Sequence, residues 1–435
     1  MAHTEIVVLG GGISGLAAAC ALQHSRADYM LLERRPSVGG LTRTSQVGDF
    51  CFDYTGHFLH LRRYESPSKI PFAGLQDSDW KRVERRSACY VANTMVTAPI
   101  QYNLGELPQD ILDKCIQSYE QRQMDGRSCG TSFRDYIVRN FGTALADLFL
   151  IPQNEKTFAI SLDGLCMNAI KRFFPVADDA AIRRGIRGES ALTAGYNSTF
   201  WYPVIGGIEA LTRGFSRGLG RISENQDVCS IDLKRRTLRT VKGTEITWDA
   251  LLTSVPLPSF CRMTGEPDLI EAAKQLTHST TVAVNVGLRG EVAAPLANRH
   301  WVYVPDRNLP IYRVGVYSNI SDGTCAPGRV ALYAEVGLSA EQVCQLDLLS
   351  LESEVLSCLE KLEWLDRSKV ECVMSHILHC AYVHHTPVAE RLVGSIFDRF
   401  STARVFPIGR YGRWDYTSME DSIEDGISTV DKVLK

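Results

Sequence analysis

The stretch "EIVVLGGGISGLAAACAL" spaces Gly10, Gly12 and Gly15 as GxGxxG between an apolar β-type run and a run of helical composition. After "SRAD" a second apolar run, "YMLLE", ends in Glu33, and "RRPSVGGLTRT" adds the pair Gly39–Gly40 and Thr42. Strand, glycine turn, helix, strand and a terminal carboxylate are the parts of a dinucleotide cradle. Gly10 permits the tight turn, Gly12 lets the backbone approach a pyrophosphate, and Gly15 lets the helix close on the strand. The helix N-terminus, with Ser14 in its first turn, offers N–H donors and partial positive charge to phosphates. Glu33 is placed to bond ribose hydroxyls.

Three further clusters could do chemistry. Near the C-terminus, "PIGRYGRWDYTSMEDSIEDG" gathers Gly409, Arg410, Tyr411, Gly412 and Tyr416 before a helix start. Thr417 or Ser418 caps that helix, whose apolar positions Ile423, Ile427, Val430 and Leu434 share one face. "KRFFPVADDAAIRRGIRGES" holds Lys171, Arg172, Arg183, Arg184 and Arg187 in a glycine-containing loop. "HILHCAYVHH" resembles a metal site, but its alternation predicts a strand. His376 and His384 then face one way, His379 and His385 the other, so no three ligands converge and no metal is expected.

These clusters need a large scaffold, and 435 residues allow two or three domains. The net charge of -3 gives no electrostatic case for nucleic acid or an anionic membrane. Thirteen cysteines, scattered and without a CxxC pair, read as reduced thiols of a cytoplasmic protein. The glycine-broken apolar start is too short to span a membrane and lacks a basic leader. Helical spacing dominates from Leu107 to about Phe173, while "STTVAVNVGLRG" and "HWVYVPDRNLPIYRVGVYSNIS" are β-rich. The expected division is a discontinuous nucleotide domain of 1–80, 203–262 and 373–435, a helical insertion of 100–202, and a β-rich substrate domain of 263–372.

The "ER…GG" extension after Glu33 resembles the FAD-binding flavoproteins of the amine oxidase, protoporphyrinogen oxidase and UDP-galactopyranose mutase superfamily. The resemblance implies an α/β fold: a Rossmann-type FAD-binding domain, a helical insertion and a β-sheet substrate domain. It also implies that Arg34, Gly40, Leu41 and Thr42 pass beside the FAD phosphates and that Val228 lies against the adenine. A late helix in this group points its positive N-terminus at the flavin's pyrimidine edge, which favours reduced flavin. By that analogy Gly409 and Gly412 let the backbone pass close to the ring, and Ser418 and Met419 meet the cofactor.

The similarity is closest to the mutase branch, whose glycine-arginine-x-glycine run, aromatics and Met-acid pair match Arg410, Tyr416 and Met419. "FDYTGHFLHLRR" places Gly56 and His57 where that branch lays a histidine loop against the isoalloxazine. "IYRVGVYSN" places Arg313 at a diphosphate-binding arginine, a role that suits a guanidinium fork. Tyr382 falls on a tyrosine lining the substrate site, and Phe158 stands where the mutases stack a tryptophan on the nucleotide base. Their lid arginine has become Ala177 and Asp178 here, so either Arg183 or Arg184 supplies the charge from a different position or the lid does not grip a diphosphate. The implied function is a nucleotide-sugar pyranose/furanose mutase-like isomerisation with reduced flavin N5 as nucleophile. His57, Arg313 and Arg410 would assist, and Phe158, Arg172, Tyr382 and Tyr416 would bind substrate. The alternative is an FAD-dependent oxidoreductase taking hydride from a small molecule. No second GxGxxG is present, so any NAD(P)H would act as a transient reductant in the open cleft.

Overall fold

The computed structural model describes residues 2–122, 132–167, 174, 178–189 and 198–435. Two seven-stranded sheets organise the α/β fold. In the first, strand Ala2–Leu9 lies parallel between Tyr29–Leu32 and Glu245–Thr253. Ile222–Ser223 extends one edge; Val228–Asp232, Thr237–Thr240 and Val405–Pro407 complete the other side. The strand interior is a continuous apolar run because helices cover both faces.

Helix Ile13–His24 is buried from Ser14 to Leu22. Its small residues allow this, because the sheet lies on one side and the C-terminal helix Met419–Val433 on the other. The approach is close enough that a Cβ on Gly426 would sit 2.4 Å from the Ser14 carbonyl oxygen.

The second sheet runs in the order Val370–Val383, His278–Arg289, Arg329–Leu338, Arg313–Val316, Trp301–Tyr303, Ser87–Val91, Thr94–Thr97. It therefore crosses the boundary expected at 372. Strand Val370–Val383 pairs along nearly its whole length with His278–Arg289, and those ladder bonds hold it in this sheet. Strands 87–97 join from outside the expected 263–372 segment by parallel pairing with Trp301–Tyr303.

Helices Gln109–Glu120, Phe133–Phe141, Ile151–Phe158 and Asp179–Ile186 form the helical part around Tyr119, Phe133, Phe141, Phe158 and Phe174. Ser132 caps the second of these by accepting from the Asp135 N–H at 3.1 Å. No helix among the described residues is long and apolar enough to cross a membrane.

The hairpin Thr44–Val47/Phe50–Asp53 ends in a fully buried carboxylate. Asp53 accepts from the Thr44 hydroxyl at 2.6 Å, the Tyr202 hydroxyl at 2.7 Å and the Ile208 N–H at 3.0 Å. Burial outweighs these donors and pushes its pKa up to about 7. The raised value means that the folded state favours the protonated acid. Its stabilising contribution, roughly 4 kcal/mol by linkage, is present below about pH 4 and lost as pH rises to about 7. Denaturation of wild type and Asp53→Asn at pH 4 to 8 checks this: the advantage of wild type should shrink steadily across that window.

Candidate active site

One cavity of about 1200 Å3 is lined by both sheets and the helical part. It exceeds the usual span of roughly 300–1,000 Å3 for a small-molecule pocket, leaving room for a dinucleotide and a second ligand. At one end lies the glycine turn. Gly10 has φ 102°, and a Cβ on Gly15 would sit 2.0 Å from the Gly10 carbonyl oxygen, so that helix and strand meet at backbone distance. Gly12 opens the helix with no side-chain cap, which leaves its first N–H groups to the cavity.

The second glycine pair closes over the first. A Cβ on Gly40 would lie 2.9 Å from the Gly12 Cα, and Gly39 N–H donates to the Gly11 carbonyl at 2.8 Å. Glu33 accepts from the Gly11 N–H at 2.8 Å and the Arg35 N–H at 2.9 Å, which aligns its carboxylate along the cavity wall. Gly10, Gly12, Ser14, Glu33, Arg34, Gly40, Leu41, Thr42 and Val228 all line the cavity. Gly15 lies behind it and serves packing.

The C-terminal glycines have a packing role. Gly409, at φ 68°, leaves space for the Ser14 hydroxyl, 2.0 Å from where its Cβ would be. Gly412 likewise packs on the Thr253 carbonyl, at 2.4 Å from its virtual Cβ. Both glycines dock the turn onto the nucleotide-binding unit. Ser418 caps the late helix in a reciprocal box with Asp421, and Ser418 and Met419 line the cavity. That helix start is not a bare positive pole, because Glu420 and Asp421 occupy its first turn. Glu420 is itself bonded by the Arg62, Arg63 and Tyr64 N–H groups at 2.9, 2.8 and 3.2 Å.

The cavity is also lined by Gly56, His57, Phe158, Arg313, Tyr382, Arg410 and Tyr416. Burial, then Arg410 and Arg313, push the His57 pKa down to about 3, so the ring is neutral. Its Nδ1 is buried without a partner. Arg313 does not offer its fork to the cavity: Nε and Nη2 bind Glu335 at 2.7 and 2.6 Å. Arg410 differs. Nη1 and Nη2 donate to the Thr417 and Ala381 carbonyls at 3.1 and 3.0 Å, and Nε is buried with no acceptor. Its guanidinium lies 4.2 Å from the Tyr416 ring centroid, 5.5 Å from Tyr382 and 5.7 Å from Tyr411. Among the described residues no carboxylate pairs with it.

Arg172 lies outside the described residues, as does Ala177. Arg183 turns away to Asp179 at 2.8 Å, whereas Arg184 lines the cavity. The histidine-rich strand forms, but His384 and His385 fall just beyond its end. Among the described residues no three His, Cys, Asp or Glu side chains group as metal ligands.

Residues 8–69 match the family described as "NAD(P)-binding Rossmann-like domain". Polyamine oxidase 4 of Oryza sativa subsp. japonica is 23% identical over 388 residues, covering 86% of this chain and 72% of that protein. The structure of reduced UDP-galactopyranose mutase superposes with TM-score 0.91 at 24% identity, covering 99% of this chain and 94% of that one. Wild-type putrescine oxidase bound to putrescine gives TM-score 0.67 at 14% identity, with 99% of each chain covered. The chain shares its fold with these mutase and putrescine oxidase structures.

Glu335 and Thr55 are cavity residues that sequence did not single out. Glu335 is fully buried and also accepts from the Thr55 hydroxyl. Arg313 and Glu335 face each other across adjacent antiparallel strands, a relation visible only once the register is known. Gln153 and Tyr303 join the same wall. Glu335→Ala leaves a buried guanidinium unpaired and should cost about 3–5 kcal/mol in urea denaturation. The double variant Arg313→Met/Glu335→Leu should lose less than Glu335→Ala alone, and strict additivity would contradict the pairing.

Proposed function

We propose that the chain is an FAD-dependent enzyme that isomerises an anionic nucleotide sugar in the manner of a pyranose/furanose mutase. The observation that carries this reading is Arg410: a guanidinium on the cavity wall held by carbonyls and ring faces, with no carboxylate to neutralise it. A half-buried cation with no carboxylate beside it is stabilised by an anionic ligand. The wall as a whole leans the same way, with seven arginines (34, 35, 85, 184, 262, 313, 410) against four carboxylates (33, 178, 227, 335).

The cradle fits FAD. The pyrophosphate would meet the uncapped N–H groups after Gly12 and the Gly40 turn, and Glu33 would take the ribose. Leu41, Thr42, Val228 and Met419 would flank the rest. Bound in its reduced form, FAD would supply a nucleophilic N5 toward an anomeric carbon. The protein's own part is orientation and charge. Arg410 and Tyr416 hold a phosphate, Tyr382 and Phe158 give flat apolar contact, and neutral His57 offers a hydrogen bond at Nδ1 without adding charge. Arg313, already answered by Glu335, contributes position and its remaining Nη1 more than net charge. NAD(P)H would reach bound flavin through the open cavity.

The sequence relation to a polyamine oxidase favours a second reading, hydride removal by an FAD-dependent oxidoreductase. A polycationic substrate would meet unfavourable charge beside Arg410.

Two experiments test the proposal. Dithionite-reduced, FAD-loaded protein is mixed with UDP-, GDP- and dTDP-sugars and then cyanoborohydride. A flavin–sugar mass with at least one sugar is expected. Absence of that mass and of ring interconversion with all three, together with oxygen uptake on an amine, would establish the second reading instead. Arg410→Ala should lower kcat/KM on the accepted sugar about 10–100-fold, the loss of one or two charge-assisted bonds. Arg410→Lys should recover part of this.

A further inference from the structure

The histidines of "HILHCAYVHH" separate in the fold. His376 stacks on Tyr54 at 4.1 Å, and His385 approaches the exposed Asp415 at 3.8 Å. His384 is built into a wall of the cavity from behind. Helix Ile151–Phe158 stops where Ala159 adopts φ 52°, so its last carbonyls lack helical partners. The second sheet and the segment that follows its edge strand meet three of them. Gly337 lies so near that its Cβ would sit 2.0 Å from the Lys156 carbonyl oxygen. Ser279 Oγ donates to the Thr157 carbonyl at 3.2 Å, and His384 Nε2 lies 2.8 Å from the Phe158 carbonyl.

A carbonyl only accepts, so His384 Nε2 carries the proton. Nδ1 is then an acceptor and receives the Thr277 hydroxyl at 2.9 Å. The His384 N–H also donates to the Thr277 carbonyl at 3.0 Å, so both backbone and ring are fixed by the same residue. Burial pushes the imidazole down to about 4, which preserves this neutral arrangement.

We propose that His384 is the positioning residue of the substrate-side aromatic wall: it holds Phe158 in place and, through Phe158, aligns Tyr382 and Tyr416 beside Arg410. The rings form a ladder, Phe158 to Tyr382 at 5.5 Å, Tyr382 to Tyr416 at 5.7 Å, and Tyr416 to the guanidinium at 4.2 Å. His384 fixes this ladder twice, by its bond to Phe158 and by following Tyr382 two residues along the chain. The inference rests on the reading that this wall faces the substrate.

The test uses FAD-loaded wild type, His384→Ala and His384→Gln. Hydrogen exchange of the amides at 155–162 should quicken about tenfold in His384→Ala, the loss of one buried hydrogen bond, and largely recover in His384→Gln. Amides at 9–16 should be unchanged in both. Unchanged exchange at 155–162, or equal quickening at 9–16, would overturn the positioning role. Titration with UDP should show a Kd about tenfold weaker in His384→Ala, with flavin content and visible spectrum unchanged. Equal UDP affinity in wild type and His384→Ala overturns the inference but leaves the proposed function standing. UDP binding to none of the three overturns the proposed function, and the exchange result alone then decides the role of His384.

Discussion

A guanidinium drawn partly out of water needs something to answer its charge, and Arg410 is the point at which this fold meets that demand incompletely. Two carbonyls and three tyrosine faces hold it, and its Nε remains without an acceptor. The surrounding elements are arranged around that fact. Gly409 presses the arginine's turn against Ser14 of the nucleotide-binding helix, and Gly412 presses it against Thr253 at the end of a central strand. Asp425 fixes the turn by accepting the Gly409 N–H at 2.7 Å. Arg410 is thereby tied to the glycine cradle and lines the same cavity.

The second cavity arginine shows what a completed pair looks like. Arg313 spends its fork on Glu335, and Thr55 bonds that carboxylate in turn. A buried pair of this kind cancels its own field, so it shapes the wall without selecting the charge of a ligand. On the proposed reading, selection falls to Arg410. A cavity can share its fold with enzymes named for amines and still present the opposite electrostatic preference, because fold and site are separable.

Sequence disclosed what is local. The strand–glycine–helix–Glu33 unit could be read directly, since GxGxxG encodes backbone geometry within one short stretch, and the helix cap at Ser418 was legible for the same reason. Long-range pairings were hidden. Arg313 looked available because nothing in "IYRVGVYSN" reveals Glu335 on the neighbouring strand. The resemblance implied a positive start for the late helix although Glu420 and Asp421 stand in its own first turn; only the bonds of Glu420 to the backbone at 62–64 were hidden, because they join distant segments. The sheet boundary near 372 was misplaced because strand pairing, and no change in composition, decides where Val370–Val383 belongs. His384 was set aside as a non-ligand, and only the structure brings it to the Phe158 carbonyl.

The most direct measurement is a spectral titration of the FAD-loaded protein with UDP and with putrescine, each at low and high salt. Saturable perturbation of the flavin spectrum by UDP, weakened as salt screens Arg410, is expected, with no saturable response to putrescine. Saturation by putrescine with no response to UDP would contradict this expectation.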